Sequence, residues 1–403
     1  GAFVLLYLIF LVILGLPVMV MEFAVGRASQ KSCAQCFDIL EPKRRFHWFS
    51  WWGYIGCMIL MMFYTTVAGW MVAYIPKMAS GMFNGADAEA TGAAFNAMLA
   101  SPGEVIGWML VAVFIGFAIC AMGLQKGVER ITKWMMAILF VAMIALCIRA
   151  MTLPGAGGGI AFYLVPDFSR MFAGGWSTFG EAVYAAMGQA FFSLSLGIAA
   201  MEIFGSKVDR ERSLTGEAIN VTLLNTLVAI LAGLIIFPAC FAYGVTPDSG
   251  PSLVFATLPV VFGQMPLGNI WGALFFVFMS FAALSTVIAV FENLISFSMD
   301  KWGMSRLRAV VFNGILVIVL SMPCALGFNV WSDIVVPGIG DIQTLEDFIV
   351  SNNMLPLGSL VFVLFCTCRY GWGWDKFLAE ATRARHSSSR QDGACGRSTA
   401  SRC

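Results

Sequence analysis

Gly188-Gln-Ala-Phe-Phe-Ser-Leu-Ser-Leu-Gly-Ile-Ala199 is the stretch that decides how this chain folds. It lies in the middle of an apolar run long enough to cross a bilayer. Yet Ser193, Ser195 and Gly197 fall on alternate positions, behind Gly188 and Gln189. Glycine weakens a helix by roughly 1 kcal/mol relative to alanine, and serine offers the backbone competing hydrogen bonds. Irregular backbone at membrane depth persists only where protein buries it or where it lines a cavity. A span interrupted at its centre points to a transporter's binding site. A small-residue face for helix packing would use the same residues. The stretch by itself leaves both open.

Working outward, 59% of the residues are hydrophobic and 12% are charged, with a mean hydropathy of +0.83. A soluble domain carries roughly 25% charged residues, so the chain is expected to be an all-α polytopic membrane protein. The net charge of +1 suggests neither nucleic acid nor an acidic partner. Cys33 and Cys36 have no second pair to complete a metal site, and the two histidines, His47 and His386, lie too far apart for a HExxH metalloprotease.

Apolar runs near 2–25, 50–75, 104–123, 131–153, 181–204, 217–244, 267–298, 307–329 and 346–370 approach the roughly 20 residues a spanning helix needs. Lys and Arg concentrate in alternate connections. Arg27, Lys31, Lys43, Arg44 and Arg45 fill 27–50, and Lys126 and Arg130 follow. Lys207, Arg210 and Arg212 come next, then Lys301, Arg306 and Arg308. The segment 154–180 holds Arg170 alone. The positive-inside rule puts the basic connections in the cytoplasm. Gly1 then lies outside, with no initiator Met, so a segment upstream is expected. Symmetry agrees: an inverted repeat would place a second broken span just before Gly1. The polar stretch from Thr382 to Cys403 is expected to be disordered and reads like a fusion scar or a frame change.

Polar residues at membrane depth are costly and usually functional. Glu22 is either an interfacial carboxylate near Arg27 or a working acid. Tyr64 lies mid-span beside Thr65 and Thr66. Asn225 needs partners for its amide. Ser285 and Thr286 adjoin in Ala282-Ala-Leu-Ser-Thr, and Glu292 follows about two turns later. Hydroxyl, amide and carbonyl oxygens are hard ligands suited to a small alkali cation.

These residues resemble the neurotransmitter:sodium symporter family, and in particular its bacterial LeuT-like amino-acid transporters. Gly1-Ala-Phe, Met21-Glu-Phe-Ala-Val-Gly-Arg, Lys126-Gly-Val-Glu-Arg and, most specifically, Gln189-Ala-Phe-Phe-Ser-Leu-Ser-Leu-Gly carry the likeness, which extends to about Glu380. The resemblance implies a LeuT-like inverted five-helix repeat, with family helices two to ten present and the first absent. Residues 1–153 would form the first repeat and 154–180 an extracellular loop. Residues 181–374 would form the second repeat, with the broken helix, and 375–403 a disordered cytoplasmic tail. It further implies Na⁺-coupled import of a small neutral, hydrophobic amino acid by a multi-pass protein of the inner or plasma membrane. Ser193 and Asn225 would help bind one Na⁺; Ala282, Ser285 and Thr286 a second. Leu60, Tyr64, Phe192, Ser193, Ser195, Ile198, Thr286 and Val290 would line the substrate pocket, with Tyr64 on the substrate carboxylate and Phe192 as the outer lid. Asp347 and Asp300 would be the acidic halves of the outer and inner gates, their arginine partners lying on the absent helix.

Lys207 stands where the family usually has tyrosine, which puts the inner-gate network in doubt. Ile198 stands where Phe is common, which would widen the pocket. Ala229 stands where other members have Ser or an acid, so chloride use stays open, as does a homodimer. The 403 residues by themselves are expected not to transport, since half of the ion ligands would be missing. An intramembrane aspartyl protease is the alternative suggested by Gly338-Ile-Gly-Asp341, but no second Asp sits in an apolar run to share a proton. A channel would need repeated filter or charge rings, and none is visible.

Overall fold

The computed structural model describes residues 1–123, 128–169, 171–245 and 250–383. Lys126, Arg170 and the tail from residue 384 lie outside them. Apolar sequence in a bilayer must satisfy its peptide groups internally, and helices do so within one segment. Among the described residues eight helices are long and apolar enough to cross a membrane. They are α1 (Ala2–Ser29), α2 (Phe49–Ala79), α3 (Pro102–Ala121) and α4 (Arg130–Met151), then α7 (Leu214–Ala242), α8 (Gly268–Trp302), α9 (Arg306–Leu326) and α10 (Ile342–Thr367). Between α4 and α7 the ninth expected span is split into α5 (Trp176–Ser193) and α6 (Ala200–Gly205). A last helix, α11, runs Trp374–Ala381. No strand forms among the described residues, only an isolated bridge between Val336 and Gly340.

Burial ranks the helices. Within their most apolar stretches α2 and α8 are 61% and 56% buried, against 28–39% for the others. They pack along each other and form the axis around which the rest assemble. The outer helices show apolar side chains to lipid, such as Phe3, Val12 and Ile13 on α1 and Phe114 on α3. Lipid tails give helices no hydrophobic reason to associate, so close backbone approach and polar contacts must hold them.

Helix ends follow local chemistry. Ser213 Oγ accepts from the Gly216 amide and caps α7, while Asp341 Oδ1 accepts from the Thr344 amide at 2.8 Å and caps α10. The Gly-Ile-Gly-Asp run is therefore a turn and a helix cap. In the segment after α1, burial alone would raise the Asp38 carboxyl, but hydrogen bonds from Arg44 and His47 hold it below its ordinary value.

Two expectations need correcting. The segment 154–180 contains a helix, Ala156–Leu164, packed on α7. The tail expected from residue 375 begins as α11, which buries Phe377 and Glu380. The reason is Arg27. Fully buried at the end of α1, it donates from Nε to Glu380 Oε1 at 2.6 Å, from Nη2 to the Glu380 carbonyl and from Nη1 to the Arg212 carbonyl at 2.7 Å. Arg27 thus ties α11 and the segment after α6 to α1. Removing one partner of a buried pair costs about 3–5 kcal/mol. Arg27→Ala is expected to lower the unfolding midpoint in detergent by a shift of that size, with Arg27→Lys recovering part; the measurement is a denaturation curve of each variant.

Candidate functional site

The interruption is built residue by residue. α5 ends at Ser193, and Ser195, Gly197 and Ala199 then take positive φ of 52°, 90° and 57° before α6 begins. For Ser195 and Ala199 the left-handed conformation costs roughly 1–2 kcal/mol each, so the surroundings must enforce it. They do. The Ser195 and Leu196 amides donate back to the Phe192 and Phe191 carbonyls. The Gly197 amide donates to Glu22 Oε1 of α1 at 2.6 Å. The Ile198 carbonyl accepts from Cys57 Sγ of α2, and the Ala199 carbonyl from Asn293 Nδ2 of α8 at 3.3 Å. On the remaining side the segment lies against α10: a Cβ on Gly197 would strike the Leu355 carbonyl, and one on Gly358 would strike the Gly197 carbonyl. Glu22 is fully buried and its Oε1 is taken by the Gly197 amide; Arg27, its expected neighbour, is engaged with Glu380.

A cavity of about 140 Å³ opens beside the break, lined by Leu60, Tyr64, Phe192, Ser193, Ser195, Ile198, Thr286 and Leu355. Seven of the eight residues expected around the substrate are among them. Val290 is buried one turn beyond Thr286 and is not in the lining; Leu355 of α10 is, and the sequence reading missed it. Phe192 also lines a wider outer cavity of about 260 Å³, together with Tyr184, Gly188, Gln189, Asp347 and Ser351. It therefore stands between the two spaces.

The residues expected to bind ions fall into two groups beside this cavity. Ser193 Oγ lies 3.1 Å from the Tyr7 hydroxyl, to which Asn225 Nδ2 also donates at 3.5 Å. Tyr7 joins them from α1; its only sequence signal is a lone phenol in an aliphatic run. Ser285 and Thr286 both bond the Ala282 carbonyl of their own helix, at 2.8 and 3.5 Å. Their oxygens thus cluster within one turn. Ser193 and Thr286, one from each group, share the cavity wall.

The expected gate acids are held by this chain's own residues. Asp347 Oδ1 accepts from Ser351 Oγ at 2.6 Å. Asp300 accepts from Lys31 Nζ at 3.2 Å and from the Ser32 amide and hydroxyl at 2.9 and 2.8 Å. Glu292 is paired with Arg306, which also donates to the Cys120 carbonyl. Lys207 and Asp300 line one cleft.

A helical membrane protein whose cavity sits on a helix interrupted at membrane depth belongs among the secondary transporters. The sequence profile described as "SNF: Sodium:neurotransmitter symporter family" matches residues 1–84 and 90–385. The chain is 34% identical over 365 residues to an uncharacterized sodium-dependent transporter, YhdH, of Bacillus subtilis, covering 91% of this chain and 79% of that protein. It is 33% identical over 383 residues to an uncharacterized sodium-dependent transporter of Haemophilus influenzae, covering 91% and 81%. The crystal structure of MhsT in complex with L-phenylalanine superimposes with a TM-score of 0.85 at 36% identity, covering 94% of this chain and 85% of that one. The chain belongs to the sodium:neurotransmitter symporter family. It is a multi-pass membrane protein with the LeuT-like all-α fold, a sodium-coupled transporter and not an enzyme.

The crossing of Gly197 over α10 generates a test. Gly197→Ala combines a positive φ with a Cβ driven into the Leu355 carbonyl, so a loss of about 3 kcal/mol or more is expected, read as a lowered unfolding midpoint and lost substrate binding.

Proposed function

We propose that this transporter imports a small neutral, hydrophobic amino acid together with Na⁺ by alternating access. The observation that carries the proposal is the shared wall: Ser193 and Thr286 belong to separate ion groups, yet both face the one cavity beside the break. Leu60, Phe192, Ile198 and Leu355 make most of that wall apolar, and no charged side chain is among its lining residues. An uncharged substrate side chain fits such a wall. The crystallised complex of MhsT with L-phenylalanine supports the same class.

In this proposal Ser193 and Asn225 hold one Na⁺, and Ala282, Ser285 and Thr286 hold the second. Tyr64 takes the substrate carboxylate, Phe192 closes over the substrate, and Asp347 and Asp300 gate the two ends. Ions and substrate order the same strained segment. Each therefore lowers the ordering cost for the other, which is a coupling free energy and reciprocal. Ser285 and Thr286 give up back-bonds to Ala282 when they turn toward an ion, so the empty site costs little to keep.

The experiment is uptake of labelled phenylalanine or leucine by the full-length protein in proteoliposomes, with and without an inward Na⁺ gradient. Uptake is expected only with the gradient; undiminished uptake without Na⁺ overturns the proposal. Asn225→Ala should raise the Na⁺ concentration for half-maximal uptake about tenfold, equivalent to about 1.4 kcal/mol, while leaving the ranking of substrates alone. Ile198→Phe should do the reverse: it fills cavity volume and shifts preference to smaller side chains, with the Na⁺ titration unchanged.

A further inference from the structure

Glu202 has no part in the transport site described above. It lies in α6, fully buried, and neither of its carboxyl oxygens meets a hydrogen-bond donor. Glu22 lies across from it on α1. Its Oε1 takes the Gly197 amide, and the carboxyl also faces the amides of Met201 and Glu202, but its Oε2 has no partner. The two helices touch backbone to backbone: a Cβ on Gly26 would strike the Glu202 carbonyl, and one on Gly205 the Phe23 carbonyl. The charge of Glu22 reaches Glu202 across this contact.

The neighbours do not neutralise them. The titratable groups within electrostatic reach of the pair are Cys33 and Cys36 in the segment after α1, Cys57 of α2, Asp300 of α8 and Cys366 of α10. The Cys36 thiol lies beside Glu202 without hydrogen-bond geometry that would satisfy it. Asn293 of α8 is buried near the same segment and turns an unpartnered Oδ1 inward. Lys207, past the end of α6, is exposed and acts on Glu202 more weakly than Glu22 does. Two ionised carboxylates in such a place would each lose their water and repel one another.

We propose that Glu22 and Glu202 form a proton-binding site, with one proton carried on Glu202 while α6 is seated on α1. Burial strips water from both carboxyls, but Glu22 keeps the Gly197 amide as a partner, whereas neither oxygen of Glu202 has a hydrogen-bond partner. A proton turns one orphaned Glu202 oxygen into a donor. The site is independent of the identity of the transported solute, and its test does not use transport.

Infrared difference spectra of the full-length protein at neutral pH, wild type minus Glu202→Gln, should contain the carbonyl band of a protonated carboxyl, shifted in D₂O. Glu346, another buried acid, is common to both proteins and cancels. A difference showing only an ionised carboxylate overturns the proposal. Glu202→Leu is the second variant, since it fills the same space without needing a proton. A folded state that holds the proton more tightly than the unfolded chain loses stability as pH rises. The unfolding midpoint of wild type should therefore fall on going from neutral to alkaline pH, and that of Glu202→Leu should fall less. Identical alkaline profiles in the two proteins count against the site, whatever the first variant does.

Discussion

The bond from the Gly197 amide to the Glu22 carboxylate is the constraint on which this molecule rests. A helix that stops at membrane depth leaves peptide groups with no water to meet, each a penalty of several kcal/mol. The chain answers with one side chain from each of three helices: Glu22 from α1, Cys57 from α2 and Asn293 from α8. The backbone of α10 seals the fourth side. The break is therefore held from outside, and the cavity exists because the helical path is withheld there. Left-handed Ser195 and Ala199 carry the strain of that arrangement, and strain of this sort gathers where ligands bind.

Much of the fold was legible in the sequence because membrane spans are written in contiguous apolar runs. Eight of the nine became continuous helices, and the ninth broke at the serines and glycine that marked it. The resemblance to the family supplied the wall of the cavity almost completely. The rest depended on pairs far apart in the chain. Glu22 and Gly197 are separated by 175 residues, and Tyr7 and Ser193 by 186. Neither Tyr7 nor Leu355 differs locally from an ordinary apolar helix position. Val290 was placed on the wall by family likeness, but lies in the packed interior instead.

The acids show why position alone misleads. Glu22 and Glu292 each sit toward the C-terminal end of an apolar run. Glu292 meets Arg306 and is a structural pair, whereas Glu22 meets peptide amides and shapes the break. Asp300, with a gate role in view, is already bound by Lys31 and Ser32 and ties the segment after α1 to the end of α8. Ion pairs thus lace this end of the bundle, from the half-exposed Lys31–Asp300 pair to the largely buried Arg306–Glu292 pair.

Arg27 and Glu380 stand 353 positions apart. At a synthesis rate of about 5–20 residues per second, Arg27 is made roughly 20–70 s before its partner exists. Of its partners only the Arg212 carbonyl is made within that interval, and the bilayer offers the guanidinium nothing. The full set of bonds at this end of α1 can form only once α11 has been made. Closing this clasp therefore comes late in assembly, and a nascent transporter that stalls short of α11 leaves a buried guanidinium without its carboxylate.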